Sequence, residues 1–134
     1  MAVIDASVYV ALVNAGEPHH AASWAWLQQA KAAQEALSAP FILLAEIASA
    51  LSRGVGNPAL AHQVVQQVLD SRFIDLYPIT SHLAQEAAKI AADYKIRGCD
   101  AIYIALAVEL GDSLITLDQQ QFERGAAVVN TRKP

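Results

Sequence analysis

The chain has 134 residues, of which 54% are apolar, and it carries a formal net charge of −4 at pH 7. This length suits one domain, residues 1–134, with enough apolar side chains for a sizeable core. Its acidic balance, with the basic residues scattered, argues against nucleic-acid binding through a broad basic patch. Cys99 is the only cysteine, so no intrachain disulfide forms, and we expect a cytoplasmic protein.

The first half of the chain predicts two short strands and three helices. "AVID" is typical of a buried strand, and "SVYVALVNAG" changes to a helical period. "HHAASWAWLQQAKAAQEAL" predicts a long helix, and "SAP" marks a break with a short strand just before it. "FILLAEIASALSRG" then predicts a helix that ends at its final glycine. No apolar stretch reaches the roughly 20 residues that a membrane-spanning helix needs, so we expect no membrane partner.

The second half continues the alternation of helices and strands. "NPALAHQVVQQVLDS" predicts a helix capped by its asparagine, and "RFIDLYPI" predicts a strand. "TSHLAQEAAKIAADYKI" and "DAIYIALAVEL" predict two further helices, the second without a polar face and therefore buried. The last three elements are a strand, a short helix and a strand, over "LITLD", "QQQFERG" and "AAVVN". This order indicates a three-layer α/β/α sandwich with a central, mostly parallel sheet.

Four of the thirteen acidic residues lie where surface charge is unusual. Asp5 and Asp118 close predicted strands, and Asp100 stands at the head of the apolar helix. In a parallel sheet these positions meet at the edge formed by the carboxyl ends of the strands, where ligands bind. Glu46 interrupts an otherwise apolar helix, and it reaches the same edge if that helix lies across it.

Each of these acids also has a purely structural interpretation. Asp5 and Asp100 can cap the helices that follow them, and Asp118 with Gln121 matches a capping box. Glu46 can form an ion pair with a distant arginine. These alternatives do not require the four side chains to meet, whereas a shared site does.

Carboxylates that meet in one place repel one another and require a cation. Ligands that are all oxygen favour Mg²⁺ or Mn²⁺ over Zn²⁺, which prefers histidine and cysteine. A magnesium or manganese ion held by a few carboxylates, with water positions left open, is suited to phosphoryl transfer. The sequence therefore predicts a divalent metal site if the four acids converge.

Four segments resemble, in their order and spacing, the PIN domain, and most closely the small VapC-type toxins of bacterial and archaeal toxin–antitoxin pairs. They are "VIDASVYVAL", "LLAEIASAL", "CDAIYIALA" and "LITLD". The resemblance covers essentially the whole chain. It implies a PIN-like sandwich and a Mg²⁺- or Mn²⁺-dependent endoribonuclease that hydrolyses RNA phosphodiester bonds. It also implies a homodimer and a cognate antitoxin protein that holds the nuclease inactive.

The resemblance also implies which residues form the site. Its catalytic, metal-binding pocket consists of Asp5, Glu46, Asp100 and Asp118. Ser7 and Thr116 stand where the family often places accessory hydroxyls, although a helix cap and a strand threonine explain them equally well. Arg53 and Arg97 follow Glu46 and precede Asp100 in the chain, and we consider them candidates for contact with RNA.

One other function remains open from the sequence. A PIN-like domain that has lost catalysis would still bind RNA or a protein partner, although the presence of all four acids disfavours this alternative. Two helices that are apolar nearly all round, over "FILLAEIASAL" and "AIYIALAVEL", independently predict a homodimer, because a chain this short has little else to cover them.

Overall fold

A computed structural model describes residues 1–134. Five strands form one sheet in the order β3-β2-β1-β4-β5, and every neighbouring pair is parallel. The strands are β1 (Ala2–Ile4), β2 (Leu37–Pro40), β3 (Ile74–Tyr77), β4 (Ser113–Ile115) and β5 (Thr131–Arg132). The predicted sheet is confirmed, and it is wholly rather than mostly parallel.

Seven α-helices connect these strands and complete a three-layer α/β/α sandwich. The helices are α1 (Ala6–Val13), α2 (His20–Ala32), α3 (Ile42–Ser49), α4 (Pro58–Asp70), α5 (Ser81–Tyr94), α6 (Gly98–Leu110) and α7 (Gln119–Gly125). A π-helical segment, Ala50–Gly54, continues α3 without a break. No helix combines the length and the apolar character needed to cross a bilayer.

The strand order creates a switch point beside β1. The chain runs from β1 to β2 and β3 on one side, and it then crosses to β4 and β5 on the other. The connections leaving β1 and β4 therefore diverge, which opens a crevice at their carboxyl ends. Asp5 directly follows β1, and Thr116 directly follows β4, so both residues lie at this crevice.

The core is built around β1 and α6. All three residues of β1 are buried, as is typical of a central strand in a parallel sheet. The α6 helix packs on β1, β2, β4 and α5, which explains why a run from Ala101 to Ala107 contains only one residue that is not buried. This apolar helix is thus covered within its own chain, and its composition does not by itself require a second copy.

Two boundaries differ from the sequence prediction. "SAP" was expected as a break but forms most of β2, and Pro40 pairs with Tyr77 at the end of the strand. "AAVVN" is not a strand, since the amides of Val128 and Val129 both donate to the Gly125 carbonyl in a turn after α7. The last strand is instead Thr131–Arg132, beside β4.

Candidate active site

Asp5 is the most deeply buried of the four acids, with 4% of its surface exposed. It caps α1, as the structural interpretation expected, because its carboxylate accepts from the Ser7 amide at 3.4 Å. The same oxygen, Oδ2, accepts from Ser7 Oγ at 2.6 Å and from Thr116 Oγ1 at 3.0 Å. Burial raises the pKa of Asp5, and the two hydroxyls oppose that rise. Capping alone does not need the hydroxyl of the residue after β4, so the Thr116 bond also joins the end of β1 to the end of β4.

A buried hydrogen-bond network joins the ends of β1 and β4 to α6 and α7. Gln121, 1% exposed, donates through Nε2 to the Asp100 carbonyl at 3.2 Å. Its Oε1 lies 2.9 Å from Thr116 Oγ1, so the single Thr116 proton is shared between Gln121 and Asp5. The Ser7 hydroxyl accepts from the Leu117 amide at 3.0 Å. Ser7 and Thr116 therefore both lie against the Asp5 carboxylate.

Asp100 and Asp118 are held together by one guanidinium. Arg97 Nε donates to Asp100 Oδ2 at 2.8 Å, and Arg97 Nη2 donates to Asp118 Oδ2 at 2.8 Å. Burial raises the pKa of Asp100, whereas Arg97 lowers it. The predicted RNA-contacting arginine is thus, in this structure, the counter-ion of two predicted metal ligands.

Helix capping explains Asp118 in part and does not explain Asp100. The N-cap of α6 is Arg97, so Asp100 lies inside the first turn and caps nothing. Asp118 does cap α7, since its Oδ1 accepts from the Gln121 amide at 2.8 Å. The capping box is only half formed, because the Asp118 amide donates to Thr116 at 3.0 Å and the Gln121 side chain turns inward.

Glu46 comes from α3, half-buried and without an ion pair. Its Oε1 and the Tyr103 hydroxyl are both buried and have no hydrogen-bond partner. Burial raises the pKa of Glu46, and the charges of Asp5 and Asp100 add to this effect while Tyr103 opposes it. The expected alternative, an ion pair with an arginine such as Arg53, does not form. Within the protein, the charge of Glu46 is therefore offset only by the nearby Tyr103 hydroxyl and by the more distant charge of Arg97.

A cavity of 390 Å³ opens in front of two of the four acids, Glu46 and Asp118, and its lining does not include Asp5 or Asp100. Ser7, Glu17 and His19 also line it, the last two from the connection between α1 and α2. Neither Glu17 nor His19 was among the predicted site residues, because a connection lacks the periodicity that would place it against the sheet edge. A second cavity, of 310 Å³, has an apolar lining that includes Trp24 and none of the four acids, so the chemistry favours the first.

The donor set fits Mg²⁺ or Mn²⁺, although the present arrangement is closed. Every donor is a carboxylate or hydroxyl oxygen, which hard divalent cations prefer. The unpartnered oxygen of Glu46 supplies a buried acceptor that a metal-bound water or the metal itself would satisfy. As the side chains stand, no group of three or more acids, histidines or cysteines is arranged to hold an ion directly. Arg97 already takes the oxygens of Asp100 and Asp118.

The fold and the pocket define a class: an all-parallel α/β/α domain with acidic side chains gathered at the switch point of its sheet. The family model described as the PIN domain matches residues 2–128. The chain therefore belongs to the PIN domain family. No significant match is found among curated protein sequences.

Solved structures share this fold at low sequence identity. VapC20 of Mycobacterium tuberculosis, a toxin that cleaves the sarcin-ricin loop, is similar with a TM-score of 0.80 and 19% identity over 100% of both chains. FitAcB from Neisseria gonorrhoeae gives a TM-score of 0.70 and 20% identity, covering 98% of this chain and 96% of that one. DNA-bound VapBC from Salmonella typhimurium gives 0.73 and 13%, covering 98% and 96%.

Proposed function

We propose that the protein is a Mg²⁺- or Mn²⁺-dependent endoribonuclease and the toxin of a type II toxin–antitoxin pair. The observation that carries this proposal is the convergence of four acids from four separate elements at the switch point of a PIN domain. They come from the end of β1, from α3, from the first turn of α6 and from the N-cap of α7. Caps and ion pairs would also place Asp5, Asp100 and Asp118 at this edge, but they give no reason for Glu46, an α3 acid without an ion pair, to lie close enough to feel the charges of Asp5 and Asp100.

Each residue of the pocket has a distinct proposed role. Asp5, Asp100 and Asp118 hold the cation, and Glu46 completes the pocket as a further ligand or by orienting a water. The hydroxyls of Ser7 and Thr116 fix the orientation of the Asp5 carboxylate through the bonds at 2.6 and 3.0 Å. A bound Mg²⁺ or Mn²⁺ ion supplies Lewis-acid polarisation of the scissile phosphate and lowers the pKa of a coordinated water.

Few basic side chains are candidates for contact with RNA. Arg97, whose side chain is 66% exposed, and Arg53, which is exposed and forms no ion pair, are the candidates. Since the chain carries a net charge of −4, attraction of phosphate depends largely on the bound cation, which reverses the local field.

We also propose a homodimer and a protein antitoxin as partners, in the cytoplasm. Similar folds occur in structures named VapBC and FitAcB and in one described as a toxin-antitoxin complex from Klebsiella pneumoniae. Exposed apolar side chains support an interface: Phe41 is 45% and Leu69 49% exposed, and both line one shallow groove beside β3.

The test is cleavage of a pool of structured RNAs by purified protein with Mn²⁺, with Mg²⁺ and with EDTA. We expect cleavage with either cation and none with EDTA. Asp100→Asn should lose activity, whereas Asp93→Asn, an exposed acid on α5, should keep it. A 2′-deoxy residue at the cut site should leave cleavage intact, because water attacks rather than the 2′-hydroxyl. RNA that binds tightly but is never cut would favour the catalytically silent alternative.

A further inference from the structure

Arg97 is the only basic residue that forms ion pairs with the four pocket acids. Of the five ion pairs in the protein, two involve the four pocket acids, and Arg97 forms both. Its guanidinium spans from Asp100 to Asp118, with both distances at 2.8 Å. These distances are those of charge-assisted hydrogen bonds.

The exposures of the three partners differ in an informative way. The Asp100 side chain is 9% exposed and the Asp118 side chain 28%, whereas the Arg97 side chain is 66% exposed. The two acids are therefore fixed in the pocket, and the arginine reaches them from the solvent side. A long side chain held at its tip and open along its length can leave without disturbing the core.

A divalent cation and this guanidinium compete for the same two carboxylates. Mg²⁺ binds oxygen at about 2.1 Å, so an ion held by Asp100 Oδ2 and Asp118 Oδ2 would lie within a few ångströms of the guanidinium nitrogens that now donate to both oxygens. Two positive groups at that separation repel each other. Metal loading is thus opposed by Arg97 in its present position and favours its withdrawal.

We infer that Arg97 is the internal counter-ion of the metal-free pocket and competes with the divalent cation for Asp100 and Asp118. The inference rests on the proposed metal-dependent function. In the metal-free protein the guanidinium relieves the repulsion between the two acids. When the cation binds, it replaces the guanidinium, and the positive side chain becomes free beside Asp118, which lines the cavity.

The competition has a sign that distinguishes it from a supporting role. If Arg97 competes with the cation, removing its charge strengthens cation binding. If Arg97 instead orders the two acids for the cation, removing it weakens binding. Exposed ion pairs contribute modestly to stability, so we expect Arg97→Gln to lower the Kd for Mn²⁺ by about 3- to 30-fold.

The experiment is calorimetric titration of the purified protein with Mn²⁺ alone, without RNA. Arg97→Gln is compared with the wild type and with Arg72→Gln, which removes an exposed arginine that forms no ion pair. We expect tighter binding by Arg97→Gln and an unchanged Kd in Arg72→Gln. Without metal, the melting temperature of Arg97→Gln should be lower than that of the wild type, and saturating Mn²⁺ should narrow the gap.

A Kd for Mn²⁺ that is equal or higher in Arg97→Gln overturns the inference and leaves the proposed nuclease standing. Mn²⁺ that binds none of the three proteins overturns both. If Arg97→Gln does not fold, Arg97→Lys replaces it, because lysine keeps the charge but lacks the fork that reaches two carboxylates. Arg97→Lys should bind Mn²⁺ more tightly than the wild type by a smaller factor, and an unchanged Kd in this variant also overturns the inference.

Discussion

Replacing Asp5 with asparagine separates the chemical role of this residue from its structural one. All three hydrogen bonds to the side chain end on the same oxygen, Oδ2, from the Ser7 amide, the Ser7 hydroxyl and Thr116. An asparagine can place its amide oxygen there and keep all three. Its amide nitrogen then takes the place of Oδ1, which accepts no hydrogen bond from the protein. The substitution therefore removes a negative charge and a metal-binding oxygen while it preserves the shape of the site.

The expected effects on stability and on cleavage point in opposite directions. Burial raises the pKa of Asp5, so the folded protein disfavours the charged form, by about 1.4 kcal/mol for each unit of such a shift. The metal-free variant should then be as stable as the wild type or more stable. One kcal/mol corresponds to about 4 °C in melting temperature for a chain of 134 residues. Cleavage should fall by at least about 100-fold. The loss of a residue that only hydrogen-bonds to a metal ligand already lowers metal affinity or activity by about 10- to 100-fold.

Two measurements on the same preparation test this prediction: the melting temperature without metal, and RNA cleavage with Mn²⁺. Asn and Asp cap helices about equally well, so an Asp5 that only capped α1 would leave cleavage unchanged, and the melting temperature shows whether the variant folds. Cleavage by Asp5→Asn at the wild-type rate would refute the mechanism. If the variant fails to fold, Asp100→Asn gives the same test, since Asp100 does not cap its helix.

Three further predictions follow from the same pocket and surface. A hundredfold excess of Mn²⁺ over its Kd should stabilise the wild type by about 2.7 kcal/mol, or roughly 10 °C by thermal melting. EDTA should reverse this stabilisation. A melting temperature that neither Mn²⁺ nor EDTA changes counts against a metal site. Without metal, the free energy of unfolding of Asp5→Asn relative to the wild type should rise with pH above 3.8. The reason is that the folded wild type keeps the Asp5 proton to a higher pH than the unfolded chain does. The stability of the wild type therefore falls as the pH rises above 3.8, by up to about 1.4 kcal/mol per pH unit. If urea titrations give the same stability difference between variant and wild type at every pH, the burial argument is wrong. Light scattering should report a dimer of the 14.3 kDa chain and a monomer for Phe41→Glu, and a monomeric wild type at tens of micromolar rules out the dimer.

The fold followed from the sequence where hydrophobic period and capping residues agreed. Asn57 caps α4 as its position indicated, and Thr80, one of two adjacent candidates, caps α5. The strand expected in "AAVVN" was wrong because apolar composition alone cannot distinguish a strand from a buried turn. There the amides of Val128 and Val129 turn back to Gly125, and the strand begins only when the chain reaches the edge of β4.

The acids of the site were predictable because burial makes a lone carboxylate conspicuous in an apolar segment. The hydrogen-bond partners of these acids were harder to predict from the sequence. Gln121 looked like the second half of a capping box, a local pattern that its backbone satisfies. Its side chain instead spans from Thr116 to Asp100. A local motif specifies bonds within one turn of helix, whereas this contact depends on how α7 is placed against α6.

The assignment of Arg97 illustrates the same limit in electrostatic terms. From its place before Asp100, the sequence indicated only that a positive charge lies near the pocket. Arg97 is attracted both to the clustered acids and to the phosphates of a bound RNA, so the two compete for the same guanidinium. Which attraction prevails depends on whether a divalent cation already neutralises the acids. In this structure Arg97 binds the acids, with two bonds at 2.8 Å. A cation between Asp100 and Asp118 would reverse that balance, and the same side chain would then be available to an RNA phosphate. Metal binding and RNA binding should therefore be positively coupled through this one residue, and in Arg97→Gln the affinity for RNA should lose its dependence on Mn²⁺ to the extent that Arg97 carries it.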